Sequence, residues 1–161
     1  MTDATSELVL CSSSAAETRR IGQALGEAAA PNDVFLLEGA FGAGKTVFVQ
    51  GLAAGLGVQD EIASPSFVLM VEHQGRLRLY HFDLYRLDGR LDAEMLETLA
   101  DARDAGGVCA VEWPDALPPD LAAGATVVTI VAPDDATREI AIQSSSARLL
   151  DAAGAAAAEN A

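Results

Sequence analysis

Lysine is almost missing from this chain. Nine of its ten basic residues are arginines, and Lys45 is the one lysine. Lys45 follows Gly44, so the N-K-x-D element by which guanine-specific GTPases read their base has no place here. Basic runs are missing too. Arg76, Arg78, Arg86 and Arg90 form the densest cluster, acids are interspersed among them, and the net charge is −14. Proteins that bind nucleic acid directly carry a basic patch that neutralises phosphates, so no direct nucleic-acid binding is expected. A positively charged protein partner suits this charge better. Histidine is limited to His73 and His81, which excludes a metal centre built on histidines. The two cysteines, Cys11 and Cys109, lack metal or redox spacing and read as buried, reduced thiols. No apolar run reaches the ~18 residues that span a bilayer. The first residues, MTDATSELVL, show no basic n-region, so no secretory signal or membrane is expected and the localisation reads as cytoplasmic.

What is present has the length and hydrophobic share of one globular domain: 161 residues, half of them hydrophobic. SELVLCS reads as a first strand, and Ser12 to Ser14 offer a cap for a helix over AAETRRIGQALGEAA. VFLLEG is a compact apolar run of strand length, fit for a buried parallel strand. KTVFVQGLAAGLGV continues as a helix. FVLMVEHQGRLRLYHFDLYRL reads as two strands around Gln74-Gly75, with Leu77, Leu79 and His81 alternating with Arg78, Tyr80 and Phe82. A short helix follows, with Leu91, Met95, Leu96 and Leu99 on one side. GGVCAVEWP is a buried-type strand, and ATVVTIVAP with TREIAIQSS forms a last hairpin around Asp134-Asp135. This order predicts an α/β fold: a mixed β-sheet flanked by helices on both faces, in one domain over residues 1–146. The alanine-rich stretch 147–161 is expected to be a frayed tail.

Between the second strand and the second helix lies GAFGAGKT, Gly39 to Thr46, which fits G-x-x-x-x-G-K-[ST]. Strand, loop and helix in that order give the pattern its meaning. Gly42 and Gly44 let the backbone turn its N–H groups inward, and with the N-terminus of the helix these form an anion site. Lys45 reaches the β- and γ-phosphates of a nucleotide, and the Thr46 hydroxyl can ligate Mg²⁺. Two acids can complete a Mg²⁺ site. Glu112 stands where the apolar run VCAVEW ends, and Asp83 stands within YHFDLYR. A pair of carboxylates can hold this small ion partly through water. His81 reads as packed rather than as a general base. Ser64 to Ser66 read either as ordinary turn chemistry or as a switch loop sensing the γ-phosphate.

Together, GAFGAGKT, SPSFVLMVE, YHFDLYRL and VEWPD, in that order, resemble the bacterial TsaE (YjeE) ATPases, over about residues 5 to 145. The resemblance implies a P-loop NTPase-like ATPase domain needed for threonylcarbamoyladenosine modification of transfer RNA next to the anticodon. It implies action on the partner proteins TsaD and TsaB rather than on RNA. ATP/ADP and Mg²⁺ are the implied cofactors. The nucleotide would be bound by Phe41, Gly42, Ala43, Gly44, Lys45, Thr46, Ser66, Trp113 and Arg138. Lys45, Asp83 and Glu112 would carry hydrolysis, and Thr46, Asp83 and Glu112 would hold the metal. Ser64 to Phe67 would be the switch loop. Thr18 and Arg138 are candidate adenine contacts. The chain departs from the family pattern at Ala40, where an acid is common, and at Ser66, where threonine is. The alternative is a small-molecule P-loop kinase, although no arginine-rich lid is evident between the loop helix and Leu91.

Overall fold

The computed structural model describes residues 4–65, 69–85 and 91–160. Seven strands and five helices follow one another: β1 (Ser6–Ser12), α1 (Ala15–Ala28), β2 (Val34–Glu38), α2 (Lys45–Gly55), β3 (Met70–His73), β4 (Leu79–Asp83), α3 (Ala93–Asp104), β5 (Val108–Glu112), α4 (Pro119–Ala122), β6 (Thr126–Val131), β7 (Arg138–Ser144) and α5 (Ala147–Glu159), with a 3-10 turn at Pro114–Ala116. They form one sheet in the order β1-β7-β6-β2-β5-β4-β3. The four central strands, β6, β2, β5 and β4, are parallel, and the outer pairings are antiparallel. The expected mixed α/β sheet is therefore present.

The central strands are apolar along their length because both of their faces are covered. Phe35, Leu37, Val108, Ala110 and Leu79 join one core with Ile21 and Leu25 of α1, Phe48 and Leu52 of α2, and Leu149 and Ala153 of α5. Val34, Leu36, Tyr80, Phe82, Cys109 and Val111 join a second core with Leu99 and Ala102 of α3. The alternation in β4 thus separates two cores, not inside from outside. In β6 the burial alternates with partial exposure, as an antiparallel neighbour on one side allows.

Helix α1 is started by Ser14, whose Oγ accepts from the N–H of Glu17 at 3.1 Å. The Glu17 carboxylate accepts in return from Ser13 N–H at 2.6 Å, one residue earlier than a capping box needs. The N–H and the hydroxyl of Ser13, both donating to it, hold the Glu17 carboxyl below its usual range. Its last turn carries no basic residue. Arg76 and Arg148 supply the missing charge from elsewhere, donating to the carbonyls of Gly26 and Ala28, each at 2.8 Å.

Helices α1 and α2 touch backbone to backbone. A Cβ at Gly26 would lie 2.2 Å from the carbonyl oxygen of Leu52, and one at Gly51 would lie 2.0 Å from that of Arg19. Glycine is required here by the approach of another backbone.

Two expectations need correction. The alanine-rich stretch from Ala147 is not frayed over its described length. It forms α5, capped by Ser146, with Leu149, Ala153 and Ala156 buried at spacings of four and three. Alanine is the best helix former, and its small side chain lets α5 lie close on α1 and β1. Cys109 is buried as expected, but Cys11 is exposed on the edge strand β1. Burial pushes the Cys109 thiol from 9.0 up to about 12. Among the described residues no helix is long and apolar enough to cross a membrane.

Two glycine substitutions should act oppositely. Gly51→Ala forces two backbones apart and should lower the unfolding free energy by about 1–3 kcal/mol. At Gly154, inside α5, a Cβ meets only Leu8 Cδ2 at 3.7 Å, so Gly154→Ala should raise it by roughly 0.5–1 kcal/mol. Urea unfolding measures both, and a Gly154→Ala variant no more stable than the parent would contradict the docked α5.

The thiols should also separate. At pH 8 a disulfide reagent should modify one cysteine, Cys11, in the native protein and both cysteines in denaturant. Because the folded state holds Cys109 protonated, its contribution to stability is present below pH 9.0 and is lost as pH rises towards about 12. Rapid native labelling of both thiols would contradict the burial.

Candidate functional site

Each of α1, α3 and α5 opens on a side chain that caps its first amides: Ser14, Asp92 and Ser146. Helix α2 opens on Gly44, at φ 116°, with no side-chain cap and no acid in its first turn. Its first amides are left to an external acceptor, and the helix dipole favours an anion there. The loop needs glycine for conformation rather than space: Gly42 has φ 77°, and a Cβ on it would meet nothing within 4 Å. Ala40 contributes its carbonyl, which accepts from Ala43 N–H at 3.1 Å.

Lys45 is 6% exposed. Its ammonium donates to the carbonyl of Gly39 and lies 3.4 Å from the centroid of the Trp113 ring. Desolvation lowers its pKa, against the opposing pull of Glu112, Asp83 and Asp115. Phe41, Tyr85 and Trp113 pack on one another with centroids 4.6–5.0 Å apart. The rings of Trp113 and, at 5.9 Å, Phe41 face the ammonium, although Phe41 is 68% exposed; Tyr85 packs on both rings. Trp113 has φ 56°, a left-handed conformation that is strained for an aromatic residue. It stands directly after Glu112, the last residue of β5, and Pro114 follows.

The parallel register sets Leu37, Glu112 and Asp83 side by side at the ends of β2, β5 and β4. Glu112 is 3% exposed. Its Oε2 lies 2.5 Å from His81 Nε2, and its Oε1 lies 3.5 Å from Thr46 Oγ1. The carboxylate of Asp83 accepts from Ser64 Oγ at 2.9 Å and from Tyr85 N–H at 3.0 Å. A hydroxyl and two carboxylates thus converge beside an uncapped helix start. These are hard oxygen donors, the kind Mg²⁺ takes, and they are few, which suits an ion that keeps several waters.

On the other side of the loop lies a cavity of about 310 Å³, near the lower bound for small-molecule sites. Ser13, Ser14 and Thr18 of the α1 start, Gly42 to Gly44, Val47, and Asp135, Ala136 and Arg138 of the β6–β7 hairpin line it. Arg138 donates to Ala43 O and Thr137 O, each at 2.8 Å, and to Asp134 O at 3.1 Å. It fastens the hairpin to the loop.

Of the residues singled out from sequence, Phe41, Lys45, Thr46, Asp83, Glu112 and Trp113 meet on one side of the loop. Gly42, Ala43, Gly44, Thr18 and Arg138 meet around the cavity. Ser66 and Phe67 lie outside the described residues. The sequence reading missed Tyr85 as a ring partner, although it stands two residues from Asp83. It also missed Ser13, Ser14 and Asp135 as cavity wall. A serine that caps a helix looks the same in sequence whether or not it faces a cavity. His81 is packed as expected, and also bonded to Glu112.

The chain matches the family model described as "Threonylcarbamoyl adenosine biosynthesis protein TsaE" over residues 12–140. It is 39% identical over 139 residues to the tRNA threonylcarbamoyladenosine biosynthesis protein TsaE of Treponema pallidum, covering 81% of this chain and 96% of that protein. It is 37% identical over 125 residues to the protein of the same name from Bacillus subtilis, covering 77% of each. The crystal structure of Bacillus subtilis YdiB superposes with a TM-score of 0.78 at 28% identity, covering 99% of this chain and all of that one.

Replacing Arg138 by methionine keeps its stem and removes its donors. The loop and hairpin carbonyls then lose their partner, and stability should fall by about 1–2 kcal/mol. Urea unfolding checks this; a change below about 0.5 kcal/mol, the range of ordinary surface substitutions, would show that Arg138 does not fasten the loop.

Proposed function

The chain belongs to the TsaE family, and we propose that it acts in threonylcarbamoyladenosine modification of transfer RNA as a cytoplasmic, Mg²⁺-dependent ATPase serving the partner proteins TsaD and TsaB. The relatives carry the name of that biosynthesis. The observation that carries the ATPase reading is the start of α2: alone among the four long helices of the described residues it lacks a side-chain cap, and it opens beside a buried lysine and two strand-end carboxylates.

In this reading the amides of Gly42 to Thr46 bind the phosphates of ATP. Phe41 and Trp113 shield them from water. Lys45 leaves the carbonyl of Gly39 for the β- and γ-phosphates, where its charge offsets theirs. Thr46 and Glu112 hold Mg²⁺, with Asp83 beside them. The bound ion neutralises charge on the phosphate oxygens. Asp83, tied to Ser64 and to the backbone of Tyr85, orients the attacking water and takes up its proton. The cavity between α1 and the β6–β7 hairpin takes the nucleoside, with Thr18 and Arg138 in its wall and Ser66 in the loop that answers to the γ-phosphate. The net charge of −14 repels RNA and suits a protein partner.

Calorimetry with ATP and Mg²⁺ tests the site. Lys45→Ala should weaken binding by about 2–3 kcal/mol, roughly 30- to 150-fold, and abolish phosphate release. Unchanged affinity would remove the nucleotide reading. Purified TsaD and TsaB should raise phosphate release by the parent chain. Transfer of the phosphoryl group to a small acceptor instead would make it a kinase.

A further inference from the structure

His81 is fully buried, and no step above uses it. It lies on β4 opposite Ala110, two positions before the Asp83–Glu112 pair and so on the same face, and its ring reaches Glu112 diagonally across the strands. Its Nε2 lies 2.5 Å from Glu112 Oε2, and among the described residues its Nδ1 has no hydrogen-bond partner. A carboxylate only accepts, so Nε2 is assigned as the donor, and Nδ1 is left unmet. Leu79, on the same face of β4, fills the first core, and an apolar side chain would fill position 81 without an orphaned nitrogen. The ring's hydrogen bond is to Glu112, and that is where its consequence lies.

Glu112, Asp83 and Asp115 all act on the charge of Lys45. Even so, among the described residues Lys45 forms no salt bridge. His81 holds one of the two Glu112 oxygens, Oε2, and the other faces Thr46. We propose that His81 is a positioning residue: it anchors Oε2 of Glu112, keeps that carboxylate from closing on Lys45, and aims Oε1 at Thr46. The proposal rests on the reading of this site as one for a nucleotide with Mg²⁺. A partner that orients a metal-holding carboxylate typically changes metal affinity by 10- to 100-fold when lost.

The amide of Gln can present N–H near the place of Nε2. The shorter Asn presents it near Nδ1, away from Glu112. His81→Gln and His81→Asn therefore compare two buried amides that differ in where the donor sits. The probe is fluorescent N-methylanthraniloyl ADP, titrated with Mg²⁺ and with EDTA, beside a thermal melt. His81→Gln should keep the Mg²⁺ enhancement of affinity seen in the parent, and His81→Asn should lose about tenfold of it. His81→Leu should behave as His81→Asn does. Equal enhancement in Gln and Asn variants, whether kept or lost, overturns the positioning role, as does loss that follows melting temperature alone. A parent with no Mg²⁺-dependent binding overturns the site reading and this inference with it.

Discussion

The site depends on the register of three parallel strands. With Leu37 opposite Glu112, and Glu112 opposite Asp83, the loop after β2 opens beside both carboxylates. A slip of one residue would turn each of them to the other face of the sheet. Burial holds the register. β2, β5 and β4 are buried along nearly all of their length, so a slip would carry apolar groups out of their cores and draw the polar strand ends in. The polar residues lie at the carboxyl ends of these strands, where an open α/β sheet leaves its crevice.

The second constraint is the approach of α1 to α2. Glycines on both helices let the backbones touch. This fixes the start of α1 near the start of α2, and the cavity wall is made of both. Arg76 and Arg148 then secure the far end of α1, and Arg138 ties the hairpin to the loop. Each arginine donates to main-chain carbonyls, which an acidic chain without spare lysines leaves unmet at helix ends and turns. Planar guanidinium groups with several donors serve this task better than an ammonium would. The single lysine is reserved for a place where a compact charge is needed.

Much of this was legible in the sequence because it rests on local pattern. VFLLE and VCAVE have the length and unbroken apolarity of strands buried on both faces. GAFGAGKT sits between a strand and a helix, and Glu112 and Asp83 stand at strand ends. What was not legible depends on partners distant in sequence. The stretch from Ala147 is mostly alanine, whose small side chains mark no face by themselves, and its alignment on α1 and β1 makes Leu149, Ala153 and Ala156 a core face. Cys11 resembles Cys109 in composition, but β1 is an edge strand and β5 a central one. The link from His81 to Glu112 joins residues 31 apart, and nothing in either segment announces it.

The contacts of Lys45 explain how a buried charge can serve a ligand. The ammonium is neither free nor locked. It has one carbonyl and the face of Trp113, a cation–π contact of about 2 kcal/mol when desolvated. A phosphate charge about 4 Å away attracts it by roughly 4 kcal/mol at the effective dielectric of a protein surface. A nucleotide with several such charges outweighs the resting contacts, while a neutral molecule does not. The strain at Trp113 belongs to the same arrangement. Its left-handed backbone turns the indole back over Lys45, and without that turn the chain would carry the ring away from the loop. The exposed ring of Phe41 adds to the cover, with Tyr85 packed on both rings. The lysine is thus kept dry beside the uncapped start of α2 by the faces of two aromatic side chains and not, among the described residues, by a paired carboxylate.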